Sequence, residues 1–337
     1  MMTPTMDHQT TNRFLKTHVF AITFCAIFIF TLGSCREQAD KSPPTDKKLL
    51  HVFVSIPPQK YFVERIGGDH VSVSTLLKPG QSPHTYEPTP KQMVELSAAR
   101  VYFRIGVPFE KQVVGKIASA LEQLVVVDTS EGIALRVLQS PCEHDDEPEK
   151  HDTHTEHAAD HHHHNHDDVL DTHTWMSPRL AGVHARHICE TLSRLDPSHG
   201  TTYRQNLEAF QADLNKLDAQ IAEALAPLKG REFYVFHPAF GYFADAYGLK
   251  QVAVELAGKQ PTAKQIAALI ASAKEAGVKL IFVQPQFTKR SAETVAEAIG
   301  GAVVVLDPLA EDYLDNLLHV ANTIQKALGQ IATNDTN

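Results

Sequence analysis

Cysteine is scarce in this chain, with four among 337 residues. They are Cys25, Cys35, Cys142 and Cys189, and no two stand at zinc-finger spacing. A metal site here must therefore be built on histidine and carboxylates. No His-Glu-x-x-His segment occurs, which removes the helix-borne metalloprotease motif. Long apolar runs are missing too. The run at residues 19–32 is too short to favour a spanning helix, and no stop-transfer pattern follows it. Nor is there a basic surplus. Without residues 1–34 the chain keeps 29 basic and 39 acidic residues, a net of −10. Residues 143–171 alone hold eleven Asp and Glu against the single Lys150, also −10. The remainder is near neutral, which argues against a nucleic-acid partner.

What the chain has in abundance is histidine, 20 residues in all. An internal tract holds His144, His151, His154, His157, His161, His162, His163, His164 and His166, mixed with Asp and Glu. Neutral imidazole binds borderline-soft divalent metals, so such a tract reads as an auxiliary metal loop. It is internal and irregular, unlike an expression tag. Apolar side chains are almost absent from residues 143–168. The segment cannot bury a core and is expected as a mobile loop whose acidity attracts cations.

The amino end reads as an export signal. Arg13, Lys16 and His18 precede the apolar run, which ends in Leu32-Gly33-Ser34-Cys35. That ending resembles a bacterial lipobox, so residues 1–34 are expected as a lipoprotein signal peptide and Cys35 as the lipidated residue. Residues 35–48, with Ser42, Pro43, Pro44 and Thr45, read as a flexible tether. Export permits disulfides. Cys142 and Cys189 either pair, or Cys189 is simply buried in an amphipathic helix.

The body of the chain reads as α/β. In residues 49–195, short apolar runs at 49–56, 71–77, 101–105 and 125–127 alternate with helical patterns. Nearly all-apolar strands alternating with helices predict a parallel sheet covered on both faces. Residues 196–229 carry Tyr203, Leu207, Phe210, Leu214, Leu217, Ile221, Leu225 and Leu228 at steps of three and four. They predict one long rigid helix of roughly 45 Å joining two lobes. Residues 230–330 repeat the alternation, with strands at 233–236, 252–255, 280–283 and 303–306.

Ligands of such sheets bind beyond the carboxyl ends of the strands. His84, His173, His237 and Asp307 all fall at such ends or in the loops beyond them. Three imidazoles and one oxygen make a plausible tetrahedral zinc shell. These residues sit in Ser82-Pro83-His84-Thr85-Tyr86-Glu87-Pro88, Asp171-Thr172-His173-Thr174-Trp175, Phe236-His237-Pro238-Ala239-Phe240 and Leu306-Asp307-Pro308-Leu309. As a set the four segments resemble the metal-site motifs of the zinc and manganese solute-binding proteins of ABC importers, over residues 49–328. The resemblance implies two sandwiched α/β lobes with the metal in their cleft. It implies zinc rather than manganese from His237, where manganese members usually carry Glu. Three imidazoles also suit zinc better than the harder manganese ion. Some zinc members carry Glu just before the first ligand, where this chain has Pro83, so Asp307 or water is left as the fourth ligand. The middle Thr172 replaces a frequent Pro.

The resemblance further implies a non-enzymatic, extracytoplasmic receptor. It would deliver Zn2+ to an ABC permease and its ATPase, and be held to a membrane by lipid, in the periplasm or at the cell surface. Two other readings are open to test. A zinc hydrolase would need a general base, for which Glu87 is the nearest candidate, and would turn a substrate over. A manganese-binding or adhesin-type surface lipoprotein, or a passive zinc buffer, would leave zinc uptake intact on deletion.

Overall fold

The computed structural model describes residues 49–118, 124–138, 169–255, 263–275, 277–287 and 289–334. The expected signal, the tether with Cys35, Cys142 and the His/Asp tract lie outside them. In the first lobe β1 (Leu50–Val54), α1 (Pro57–Gly67), β2 (Val71–Thr75), α2 (Pro90–Ser97), β3 (Val101–Arg104), α3 (Glu110–Ala118) and β4 (Val125–Asp128) alternate, and α4 (Pro178–Leu195) follows. The long helix α5 spans Gly200–Leu225. The second lobe holds β5 (Glu232–Val235), α6 (Gly241–Tyr247), β6 (Lys250–Ala253), α7 (Ala263–Glu275), β7 (Leu280–Val283), α8 (Lys289–Ala298), β8 (Ala302–Val305) and α9 (Tyr313–Asn334).

Each lobe carries a four-stranded parallel sheet, ordered β2-β1-β3-β4 in the first and β6-β5-β7-β8 in the second. The central strands are apolar because helices cover both faces. Val101, Tyr102 and Phe103 of β3 are buried, as are Ile281, Phe282 and Val283 of β7. The order reverses between β1 and β3, and again between β5 and β7. Crevices for ligands open at such switch points, beyond the strands' carboxyl ends.

Local signals set the helix ends. Thr89 caps α2 through a reciprocal box with Gln92, and Pro90 takes the first helical position. In α5 the buried stripe Tyr203, Phe210, Leu214, Leu217, Ile221 and Leu225 follows helical spacing. Its 26 residues span about 39 Å and pack on α4, α9 and α1. The α-helical part stops at Leu225, and a 3-10 turn, Ala226–Leu228, completes the stretch. Pro227 explains the change, since it offers no amide hydrogen to an α-helical interior.

One apolar cluster runs through both lobes by way of α5 and α9, and a second lies where α7 and α8 cover the second sheet. Buried Cys189 on α4 is a free thiol. Among the described residues no helix is long and apolar enough to cross a membrane.

Candidate metal centre

The strand ends bring three histidines to one point. His84 arrives on the segment after β2, His173 on the segment just before α4, and His237 directly after β5. The Nε2 atoms of His237 and His173 stand 3.2 Å apart, and those of His237 and His84 stand 3.3 Å apart. Among the described residues this is the one group of three or more His, Cys, Asp or Glu whose ligand atoms lie within 4.8 Å of one another.

Tautomers follow from the partners behind the rings. His173 Nδ1 donates to Asp171 Oδ1 at 2.8 Å, and the same oxygen accepts from the His173 amide at 3.0 Å. His237 Nδ1 donates to Glu255 Oε1. With both Nδ1 atoms carrying the hydrogen, each ring in its metal-binding form turns an Nε2 lone pair toward the centre. Two such lone pairs 3.2 Å apart repel unless a cation lies between them. Two nitrogens about 2.05 Å from one zinc at the tetrahedral angle stand about 3.3 Å apart. The two pairs that include His237 match that value, and all three ligand atoms lie within 4.8 Å of one another.

The electrostatics favour neutral imidazoles. Burial, then the neighbouring His237 and His173, lower the His84 pKa to about 3. Burial, then His173, push His237 well below its ordinary value. Burial alone would raise the Asp171 carboxyl, but the bonds from His173 and the nearby Arg136 outweigh it and hold it below the usual range. Neutral imidazole is the form that binds metal.

The second lobe fixes its ligand from several sides. Gln284, fully buried after β7, accepts from the His237 amide at 3.1 Å and donates to the His237 carbonyl at 2.9 Å. Phe287 stacks on the His237 ring with centroids 4.8 Å apart. In the first lobe Trp175 Nε1 donates to the Pro308 carbonyl at 2.7 Å, tying the His173 turn across to the second lobe. Fully buried His184 anchors the same turn. Thr129 Oγ1 gives its hydrogen to the Arg104 carbonyl, so it accepts from His184 Nδ1 at 3.0 Å. His184 Nε2 then accepts from Thr174 Oγ1 at 2.9 Å.

Asp307 sits beside the cluster rather than in it. Its Oδ1 accepts from Gln286 Nε2 at 2.7 Å and from the Leu309 amide at 2.9 Å. Gln286, Pro308 and Leu309 line the cavity that the three histidines share, and Asp307 is not among its lining residues. That cavity measures about 20 Å³, room for a single ion or water. Glu87 is exposed and lines a separate groove beside α2. The auxiliary histidines lie outside the described residues, but the stem of their tract is visible. Val137 bridges Leu170 antiparallel, and Asp171 N donates to the Arg136 carbonyl at 2.8 Å.

Sequence reasoning did not assign roles to Glu255, Asp171, Gln284 or Gln286. A polar residue just past an otherwise apolar strand was the available signal for Glu255 and Gln284.

Two parallel-sheet lobes, with a trio of clustered histidines between them at the strand ends, two buried and His84 half-buried, have the architecture of a two-lobed metal-binding receptor. The chain belongs to the family described as zinc-uptake complex component A, periplasmic, whose model matches residues 52–327. It is similar to the high-affinity zinc uptake system protein ZnuA of Bacillus subtilis, at 30% identity over 301 residues, 86% of this chain and 88% of that protein. A crystal structure of ZnuA superimposes with a TM-score of 0.72 at 37% identity, covering 83% of this chain and 99% of that one. A ZnuA deletion mutant with zinc bound gives 0.71 at 38% identity, covering 83% and 98%. Family membership makes the protein a receptor of an ABC importer rather than an enzyme, and places it outside the cytoplasm.

Proposed function

We propose that this protein captures one Zn2+ between His84, His173 and His237 and delivers it to the permease of an ABC importer driven by its ATPase. The Nε2 spacing of 3.2 and 3.3 Å carries this reading, because it is the spacing that tetrahedral zinc requires. Asp307 or a water supplies the fourth position. Residues 49–195 and 230–330 act as the two metal-binding lobes, and residues 196–229 hold them in fixed relation. Cys35 carries the lipid that anchors the protein to a membrane after loss of residues 1–34, and residues 35–48 tether it. The tract at residues 143–168 gathers zinc loosely beside the cleft. Such a tract loses chain entropy on wrapping an ion, so its affinity falls below that of a prebuilt site.

Zinc titration of the full chain and of a chain lacking residues 143–168 tests this. Both should hold one tight ion, with extra weaker sites in the full chain alone, and His237→Ala should abolish the tight site. Loss of that site on deleting the tract, or its survival in His237→Ala, would refute the assignment.

A further inference from the structure

The amide of Gln286 is used at one end only. Its Nε2 donates to Asp307 Oδ1 at 2.7 Å. That carboxylate can only accept, so it fixes which end of the amide is nitrogen. The other end, Oε1, is buried and accepts no hydrogen bond. Gln286 lines the same cavity as His84, His173 and His237, whereas Asp307 does not. A buried acceptor without a donor is costly, and it points to a partner that arrives with the ligand.

The residue is held in place. It lies on the turn between β7 and α8, whose Gln284 clamps the His237 backbone on both sides. Phe287 on the same turn stacks on the His237 imidazole. Gln286 is thus indexed to one of the three ligand rings. Asp307 is held in turn by the Leu309 amide at 2.9 Å, and its own carbonyl accepts from Asn316 Nδ2 at 2.7 Å. Asp307, one candidate for the fourth position, is therefore engaged by Gln286 outside the cavity.

We propose that Gln286 belongs to the metal site: its nitrogen keeps Asp307 off the ion, and its Oε1 accepts a hydrogen bond from a water in the fourth position. This rests on the assignment of the three histidines as zinc ligands. Three neutral imidazoles and one water form a shell with one exchangeable member, as suits a protein that must give its ion up. An amide oxygen accepts the water's hydrogen but is too weakly basic to remove it, so the water stays a ligand and does not become a nucleophile.

Gln286→Met removes both polar ends at similar size. It should weaken zinc binding about ten- to a hundredfold, the loss of one hydrogen bond made to a charged centre. It should also change the visible spectrum of the cobalt-substituted protein, with little effect on metal-free melting. Gln286→Glu keeps an oxygen toward the cavity and should bind zinc more tightly than Gln286→Met. Asp307→Asn should cost less than Gln286→Met, because Asp307 is held aside. A Gln286→Met protein with zinc affinity within twofold of the parent and a superimposable cobalt spectrum overturns the inference. So does a larger loss in Asp307→Asn, which would make Asp307 the fourth ligand. Absence of tight zinc from the parent chain would instead overturn the histidine assignment beneath it.

Discussion

Glu255→Gln separates binding from stability at this site. Glu255 is buried two residues past β6 and accepts from His237 Nδ1. The amide keeps an acceptor in reach of the ring but removes a carboxylate behind a ligand. Carboxylates in that position fix the ring and raise its basicity, and their loss costs about 10–100-fold in metal affinity. That corresponds to about 1.4–2.8 kcal/mol. The same change relieves the desolvation of a buried carboxylate in the metal-free protein. We therefore expect zinc affinity to fall while metal-free melting stays level or rises. Chelator competition gives the first quantity and calorimetry without metal the second. Unchanged zinc affinity would show that Glu255 does not act through His237. A parallel loss of affinity and of metal-free stability would reduce its role to packing.

His237→Glu replaces an imidazole with a hard carboxylate and should move preference toward manganese in paired titrations. His84 is held down at about 3 while the tract's imidazoles are referenced to about 6.5. Zinc carried by the tract should thus leave as pH falls through about 6.5, and the tight ion should leave only at lower pH, in two resolved steps of zinc release. Burial lowers His184 to about 3, so between about pH 6.5 and 3 the unfolded chain binds a proton that the folded chain does not. Stability from this residue is full above about 6.5 and is lost progressively toward pH 3, by up to roughly 4–5 kcal/mol. His184→Gln should flatten that part of the stability–pH curve measured by denaturant unfolding. Cys35→Ser should release the protein from the membrane fraction, and its retention there would remove the lipid anchor.

Much of the fold was legible because its strands are short apolar runs punctuated by Gly, Pro and polar residues. The run at residues 280–283 is the strand β7 itself. Edge strands were harder. The apolar pattern starts the second lobe's edge strand at Val252, whereas β6 begins at Lys250, paired with Glu232 of β5. Hydrogen bonding extends the strand through residues whose side chains carry no apolar signal. That the three histidines gather at one place was legible, because strand ends are where parallel sheets build sites. Their partners were not equally so. Asp171 stands two residues from His173, but adjacency does not say that its carboxylate turns back onto the ring. Glu255 stands 18 residues from His237, and only the parallel pairing of β5 with β6 brings them together.

On the proposed assignment of the three histidines, the placement of the carboxylates suits a centre that holds an ion and does no chemistry on it. Asp171 and Glu255 each stand behind an imidazole, bonded to Nδ1, so their negative charge would reach a bound ion through the rings. Both carboxylates stand behind the rings and neither lines the cavity, and Asp171 is further paired with Arg136 at 3.8 Å. A zinc hydrolase needs the reverse arrangement: a carboxylate or imidazole facing the bound water, and room for a substrate beside it. Here the group at that face is the amide of Gln286, and the cavity of about 20 Å³ admits one small species. Trp175, Phe287 and Leu309 are among the apolar residues that also line it. Enlarging the cavity by Leu309→Ala should therefore speed zinc loss without creating hydrolysis. None of the residues that line the cavity is a carboxylate that could activate a nucleophile.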